Sequence, residues 1–182
     1  MALDLAIKNQ LQEYMTRLIN PIKLVAYIDE NPSSNEMIEM LEEVASLSEK
    51  ITLSKVADVS KRIPSFEVNR EKELTGITFA GIPSGHEFTS FVLALLQASG
   101  YPLKIDAEKI EQIKNIEGKF HFETYISLSC HNCPDVVQAL NVMSIINPNI
   151  SHVMIDGALF QKEIEDKQIM AVPTIYLNGK SF

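Results

Sequence analysis

The chain contains no tryptophan, only two cysteines and only seven glycines in 182 residues. Two cysteines are too few for a disulfide-stapled secreted scaffold, which uses more of them at wider spacing. No stretch approaches the ~18 consecutive apolar residues of a membrane-spanning helix. The first ten residues carry Asp4 and lack an apolar block ending at small residues, so no secretory signal is read and a cytoplasmic location is expected. Basic residues are scarce, 16 against 24 acidic ones, for a net charge of −8. That balance argues against nucleic acid, whose affinity rests on Lys and Arg neutralising phosphates, and against an anionic membrane surface. The glycines nowhere spell the G-x-G-x-x-G fingerprint of a dinucleotide site. What is present is 46% hydrophobic residues, enough for a real core.

The hydrophobic pattern runs through one order of elements twice. Ile7, Leu11, Tyr14 and Leu18 predict a helix stopped by Asn20-Pro21. A strand follows at 22–28, a turn at 31–35, and a helix with Met37, Leu41 and Val44 on one face. Strands at 51–54, 65–69 and 77–79 and a helix from Phe88 to Leu96 complete the first half. In the second half Ile110, Ile113 and Ile116 predict a helix ended by Gly118, then a strand at 120–126. A Ser/Cys/Asn turn, a helix with Val136, Leu140 and Met143, and a strand at 152–155 come next. Val172-Pro173-Thr174-Ile175-Tyr176-Leu177-Asn178 matches Ile63-Pro64-Ser65-Phe66-Glu67-Val68-Asn69 almost position for position, and Lys23–Ile28 aligns with His121–Ile126. Self-similarity of this kind predicts two copies of one α/β unit, each a mixed sheet flanked by helices, over residues 1–101 and 102–182. The second copy ends at Gly179-Lys180-Ser181-Phe182 without a strand remainder, Gly-rich turn and final helix like those of the first. It is therefore expected to be truncated before its last helix.

Both cysteines fall in Cys130-His131-Asn132-Cys133, at a strand-to-helix turn of the second copy. Two thiols this close cross-link almost no chain, so the pair is read as redox-active. A thiol with an ordinary pKa of about 8.5 is mostly protonated near neutrality, whereas a helix N-terminus favours the thiolate. Cys130 lies at that end and is assigned as the nucleophile. Cys133, expected one turn further in and less exposed, is assigned as the resolving thiol. Pro134 suits a first helical turn, and Asp135 suits the dipole while opposing a nearby thiolate. His131 is read either as a positive neighbour of Cys130 or as a solvated turn residue. His86, His121 and His152 are read as ordinary strand, turn or core residues. Zinc needs four ligands, and neither a second CxxC nor an HxxxH is present. Val172-Pro173 sits where backbone groups would be presented to an extended peptide. X–Pro frequencies alone favour trans there and at Ile63-Pro64.

Cys-x-x-Cys at a strand–helix turn, then Val-Pro-Thr, then a strand ending in Asn-Gly, resembles the thioredoxin fold. Ser129-Cys130-His131-Asn132-Cys133-Pro134-Asp135-Val136-Val137-Gln138-Ala139-Leu140, together with Gly85-His86-Glu87-Phe88-Thr89-Ser90 and a cysteine-free first unit, resembles the N-terminal region of the alkyl hydroperoxide reductase flavoprotein. The resemblance covers essentially the whole chain. It implies a cis Pro173 and a monomer. It also implies a relay in which a C-terminal flavin domain, using FAD and NADH, reduces Cys130–Cys133, and the dithiol reduces a partner peroxiredoxin. No cofactor is expected in this chain itself. In thioredoxin a buried acid on the strand ahead of the first cysteine handles the proton of the inner thiol. Thr124 fills that place here, and the resemblance points to Glu87 of the first unit as the substitute. The competing reading of Glu87 is a helix-start acid that only complements the dipole.

Two other functions fit the sequence. One is a free-standing double-thioredoxin disulfide reductase or isomerase, although such proteins usually carry CxxC in both halves. The other is a non-catalytic partner-binding module, which would require exposed apolar stripes at Met37–Val44 and Phe88–Leu96.

Overall fold

Helix α1 (Leu5–Met15) starts where Asp4 accepts the Ile7 N–H at 2.9 Å, in a computed structural model that describes residues 3–182. It stops at Met15 rather than reaching Asn20. Leu18 is still buried, because Lys50 Nζ donates to the Leu18 and Ile19 carbonyls at 2.9 and 3.1 Å and holds that segment down. Strand β1 (Ile22–Tyr27) leads into α2 (Pro32–Ser46). The turn predicted over 31–35 is mostly the first turn of this helix. Proline at the first helical position sacrifices no intrahelical bond, and Ser34 Oγ accepts the Asp29 N–H while donating to its carboxylate, fixing the entry. Then come β2 (Ile51–Val56), β3 (Ser65–Arg70) and β4 (Ile77–Ala80), a 3-10 turn (Gly85–Glu87), and α3 (Phe88–Ala98).

The second half contains α4 (Ala107–Lys114), β5 (Phe120–Ile126), α5 (Cys133–Ile146), β6 (Ile150–Asp156), α6 (Gln161–Asp166), β7 (Thr174–Leu177) and β8 (Lys180–Ser181). Three of these depart from expectation. Helix α6 is six residues long with no buried residue of its own, so it carries no apolar period. The strand remainder expected to be lacking is present in part as β8, which pairs antiparallel with β7. Ile116 lies beyond α4, not in it.

All eight strands form one sheet, ordered β2-β1-β3-β4-β6-β5-β7-β8. Each half contributes four strands in the same order. The first strand pairs parallel with the second and antiparallel with the third, which pairs antiparallel with the fourth. The halves join through the parallel pair β4–β6, with Ile77 opposite His152 and Ala80 opposite Ile155. The core crosses that seam. Phe66, Phe79 and Phe91 pack edge-on or stacked at 5.3–6.0 Å between centroids, and their cluster extends to Ile126, Cys133, Val137 and Met154 of the second half. The apolar residues of α2 and α3 are core, which removes the exposed stripes that a pure binding module required.

Arg62 clamps the halves from the other side. Its guanidinium is bidentate to Glu163 at 2.8 Å and also bonds Glu123, while Tyr125 OH donates to Glu163 at 2.8 Å. Although burial alone would raise the Glu163 carboxyl, Arg62 and Tyr125 hold it below its ordinary value.

Candidate active site

Helix α5 begins at Cys133, with Asn132 as its cap and Pro134 in the first turn. Cys133 is thus the first helical residue rather than one turn in. Cys130 and Cys133 are joined in a disulfide with Cα atoms 5.6 Å apart. The Cys133 N–H points at Cys130 Sγ at 3.2 Å. This free helix-start donor is what would stabilise negative charge on Cys130 once the disulfide is reduced. Cys133 is fully buried and Cys130 is half-exposed, so an external disulfide can reach only Cys130.

The Val172 carbonyl oxygen lies 3.9 Å from Cys130 Sγ. Val172–Pro173 is cis, as is Ile63–Pro64. Val172 is part-exposed and Met170 almost wholly so, which gives a free backbone edge beside the outer sulfur.

The first half reaches this site through its 3-10 turn. Gly85 adopts φ +56, and a Cβ there would sit 2.8 Å from the Leu128 carbonyl, so only glycine allows this approach. The His86 N–H donates to the same carbonyl at 3.0 Å. The His86 ring lies 4.3 Å from the ring of His131. His86, read as an ordinary residue of the first repeat, therefore touches a residue between the cysteines.

Glu87 follows in the same turn, which packs on α5. It is fully buried, and burial pushes its carboxyl up, opposed by one hydrogen bond from Ser90 Oγ to Oε1 at 2.6 Å. Its Oε2 is buried without a hydrogen-bond partner among the described residues. Glu87 is therefore not a solvated helix-start acid.

Thr124 is buried too, and its Oγ1 lies 2.8 Å from Nε2 of His152, whose Nδ1 lies 2.7 Å from Asn141 Oδ1. The Asn141 oxygen can only accept, so Nδ1 carries the proton and Nε2 accepts from Thr124. Burial, with a smaller push from His121, lowers His152 to about 3. No local pattern in the sequence marks this triad, because its three polar residues lie on β5, α5 and β6. A base with a depressed folded pKa stays neutral while the unfolded chain protonates. Stability is then lost as pH falls from 6.5 toward 3, by about 1.4 kcal/mol per pH unit. Urea unfolding midpoints should decline over that range in the native chain and more shallowly in His152→Gln.

A thioredoxin domain model matches residues 120–182. The NADH dehydrogenase of Bacillus subtilis (strain 168) is 59% identical over 182 residues, all of this chain and 35% of that protein. The alkyl hydroperoxide reductase AhpF of Escherichia coli (strain K12) is 50% identical over 180 residues, 99% of this chain and 34% of that protein. The chain thus spans about a third of the length of the curated relatives it matches. The crystal structure of the NTD_N/C domain of alkylhydroperoxide reductase AhpF from Enterococcus faecalis (V583) superposes with a TM-score of 0.90 at 31% identity, covering 99% of this chain and 92% of that one. Fold and site together define a disulfide oxidoreductase built on the thioredoxin fold. The chain belongs to the family of N-terminal domains of the alkyl hydroperoxide reductase AhpF.

Proposed function

We propose that the chain is the thiol relay of a peroxide-reducing flavoprotein. The observation that carries this reading is the Cys130–Cys133 disulfide at the start of α5, with one sulfur accessible and the other sealed in the core. Relatives named alkyl hydroperoxide reductase support the peroxide context, and their length, about three times that of this chain, leaves room for a domain holding FAD and NADH.

A flavin domain would supply the two electrons that, with two protons, open the disulfide to a dithiol at Cys130 and Cys133. The Cys130 thiolate attacks a sulfur of the peroxiredoxin disulfide, and one partner thiolate departs. Cys133 gives up its proton and attacks Cys130 Sγ. The second partner thiol is released and the Cys130–Cys133 bond re-forms. In this reading Glu87 receives the Cys133 proton, Val172 and Pro173 present backbone to the partner's extended segment, and His131 flanks the outer sulfur. The two units divide at 101/102, and the work is cytoplasmic.

The test mixes the reduced chain with an oxidised two-cysteine peroxiredoxin. Stoichiometric transfer of two thiol equivalents, absent in Cys130→Ser, with a couple near the thioredoxin value of about −270 mV, is the expected result. A chain that stays reduced in the mixture would overturn the relay.

A further inference from the structure

The carboxyl of Glu87 has one oxygen engaged and one bare, and the engaged one is tied to the cysteine helix. Ser90 Oγ, fully buried on α3, donates to Glu87 Oε1 at 2.6 Å. Gln138 Nε2, on α5, donates to the same Ser90 oxygen at 3.1 Å. With Glu87 ionised, the Ser90 proton points at it, so the lone pairs of Ser90 Oγ are left to accept from an amide N–H. The chain is directional: Gln138 N–H to Ser90, Ser90 O–H to Glu87. An amide has no proton to pass on, so nothing enters from that end.

We infer that Gln138 and Ser90 are positioning residues for the thiol chemistry, because their hydrogen-bond chain confines any proton taken up by Glu87 to Oε2. A proton on Oε1 would displace the Ser90 hydrogen, which donates to no other acceptor among the described residues. Oε2 is the buried atom without a partner, so it is both the vacant acceptor and the site from which a proton is easily returned. The chain also opposes burial: a hydrogen bond to the charged form favours that form, and Ser90 lowers what desolvation raises.

Other ionisable groups on the elements packed against the turn are few. His86 is on the turn itself, His131 and Cys130 are in the facing loop, and Cys133 and Asp135 start α5. Helix α3 carries none. The chain crosses from the cysteine-free half to the cysteine helix. The first unit therefore supplies the acid, and the second unit, through Gln138, orients the hydroxyl that restrains it.

This inference rests on the proposed role of Glu87, and the experiment separates the two. The reduced 182-residue chain is mixed with DTNB and release of thionitrobenzoate is followed by stopped flow. The first phase is attack by Cys130. The second, independent of DTNB concentration, is attack by Cys133 on the mixed disulfide, which must shed the Cys133 proton. In the native chain its rate rises with pH as Glu87 ionises. In Ser90→Ala that midpoint moves up by about 1–2 pH units, as loss of one charge-assisted hydrogen bond predicts. In Gln138→Leu it moves in the same direction by less, and in Ser90→Thr, which keeps the hydroxyl, it stays near the native value. The first phase is unchanged throughout, a shift that mere loosening of the fold would not confine to the second. If Ser90→Ala does not fold, Gln138→Leu decides the matter. Native midpoints in Ser90→Ala and Gln138→Leu, beside an altered profile in Glu87→Gln, would overturn the chain alone. An unaltered profile in Glu87→Gln would take down the role of Glu87 and the chain with it.

Discussion

Replacing Cys130 by serine is expected to reduce exchange with any protein disulfide to the uncatalysed background, while replacing Cys133 leaves the first attack intact and arrests the second. The asymmetry comes from burial. Cys133, at the start of α5, is fully buried and joins Val137 in the main core, so it cannot serve an external disulfide when Cys130 is gone. Conversely, Cys130 remains accessible, and the Cys133 backbone N–H that faces it survives any side-chain change at that position. Alanine is the better replacement at 133, because it leaves no side-chain proton for Glu87 to take and so removes the second step alone. Cys133→Ala should therefore accumulate a covalent adduct with the partner. On a non-reducing gel it appears as a dithiothreitol-sensitive band at the summed mass, and Cys130→Ser shows none. An adduct formed equally by Cys130→Ser would mean that Cys133 also reaches an external disulfide and that burial does not assign the roles.

The largest stability effect is expected at Arg62. It is the cation between Glu123 and Glu163, whose side chains are 13% and 27% exposed. Arg62→Ala leaves two carboxylates facing each other with only the Tyr125 hydroxyl for support, and should cost about 2–4 kcal/mol. Chemical denaturation at neutral pH measures it directly. The pH dependence gives a second signature. In the native chain Glu163 has a lowered pKa, so its contribution is full above the ordinary carboxyl value of 4.5 and is lost as pH falls through the folded value. In Arg62→Ala, burial acts on Glu163 without the guanidinium and raises its carboxyl. Protonation then relieves the variant, and its stability should recover as pH drops toward 4.5. Parallel curves for the two proteins would show that the clasp carries no net coupling.

The repeat could be read because its signals are local. Val172–Asn178 and Ile63–Asn69 announce the same turn and strand, and strict apolar spacing marks α2, α3 and α5. CxxC was legible for the same reason: Cys130, Cys133 and Pro134 lie within five positions of one helix start. What the sequence hid is of two kinds. Helix α6 is too short to declare an apolar face: Ile164 is its one apolar residue packed on the core, and Glu163 is held by Arg62. The buried polar networks are assembled from distant segments. Ser90 and Gln138 share one hydrogen bond across 48 positions, and Thr124 and His152 share one across 28. No spacing rule links such pairs. Ser90 did carry a faint clue, three residues beyond Glu87 and so on its face of a helix, but nothing short of the fold says that Gln138 meets it. The boundary between turn and helix at Asn31 was obscured by a cluster of turn-forming residues that here serve to start a helix.

The seam between the halves has a geometric consequence. The two four-stranded sets repeat by translation in one direction, so β4 meets β6 just as a further copy of β2 could meet β8. Such head-to-tail stacking never closes on itself and, if continued between molecules, builds a fibre rather than a dimer. The internal seam is a register of four residue pairs, Ile77–Ala80 against His152–Ile155. The outer edge at β2 does not reproduce it. Strand β2 displays Thr52 and Lys55 outward, with Lys55 held by Glu42 at 2.8 Å. Charge at a rim blunts an edge against polymerisation, so the free edge of the first half resists the strand addition that the internal seam accepts.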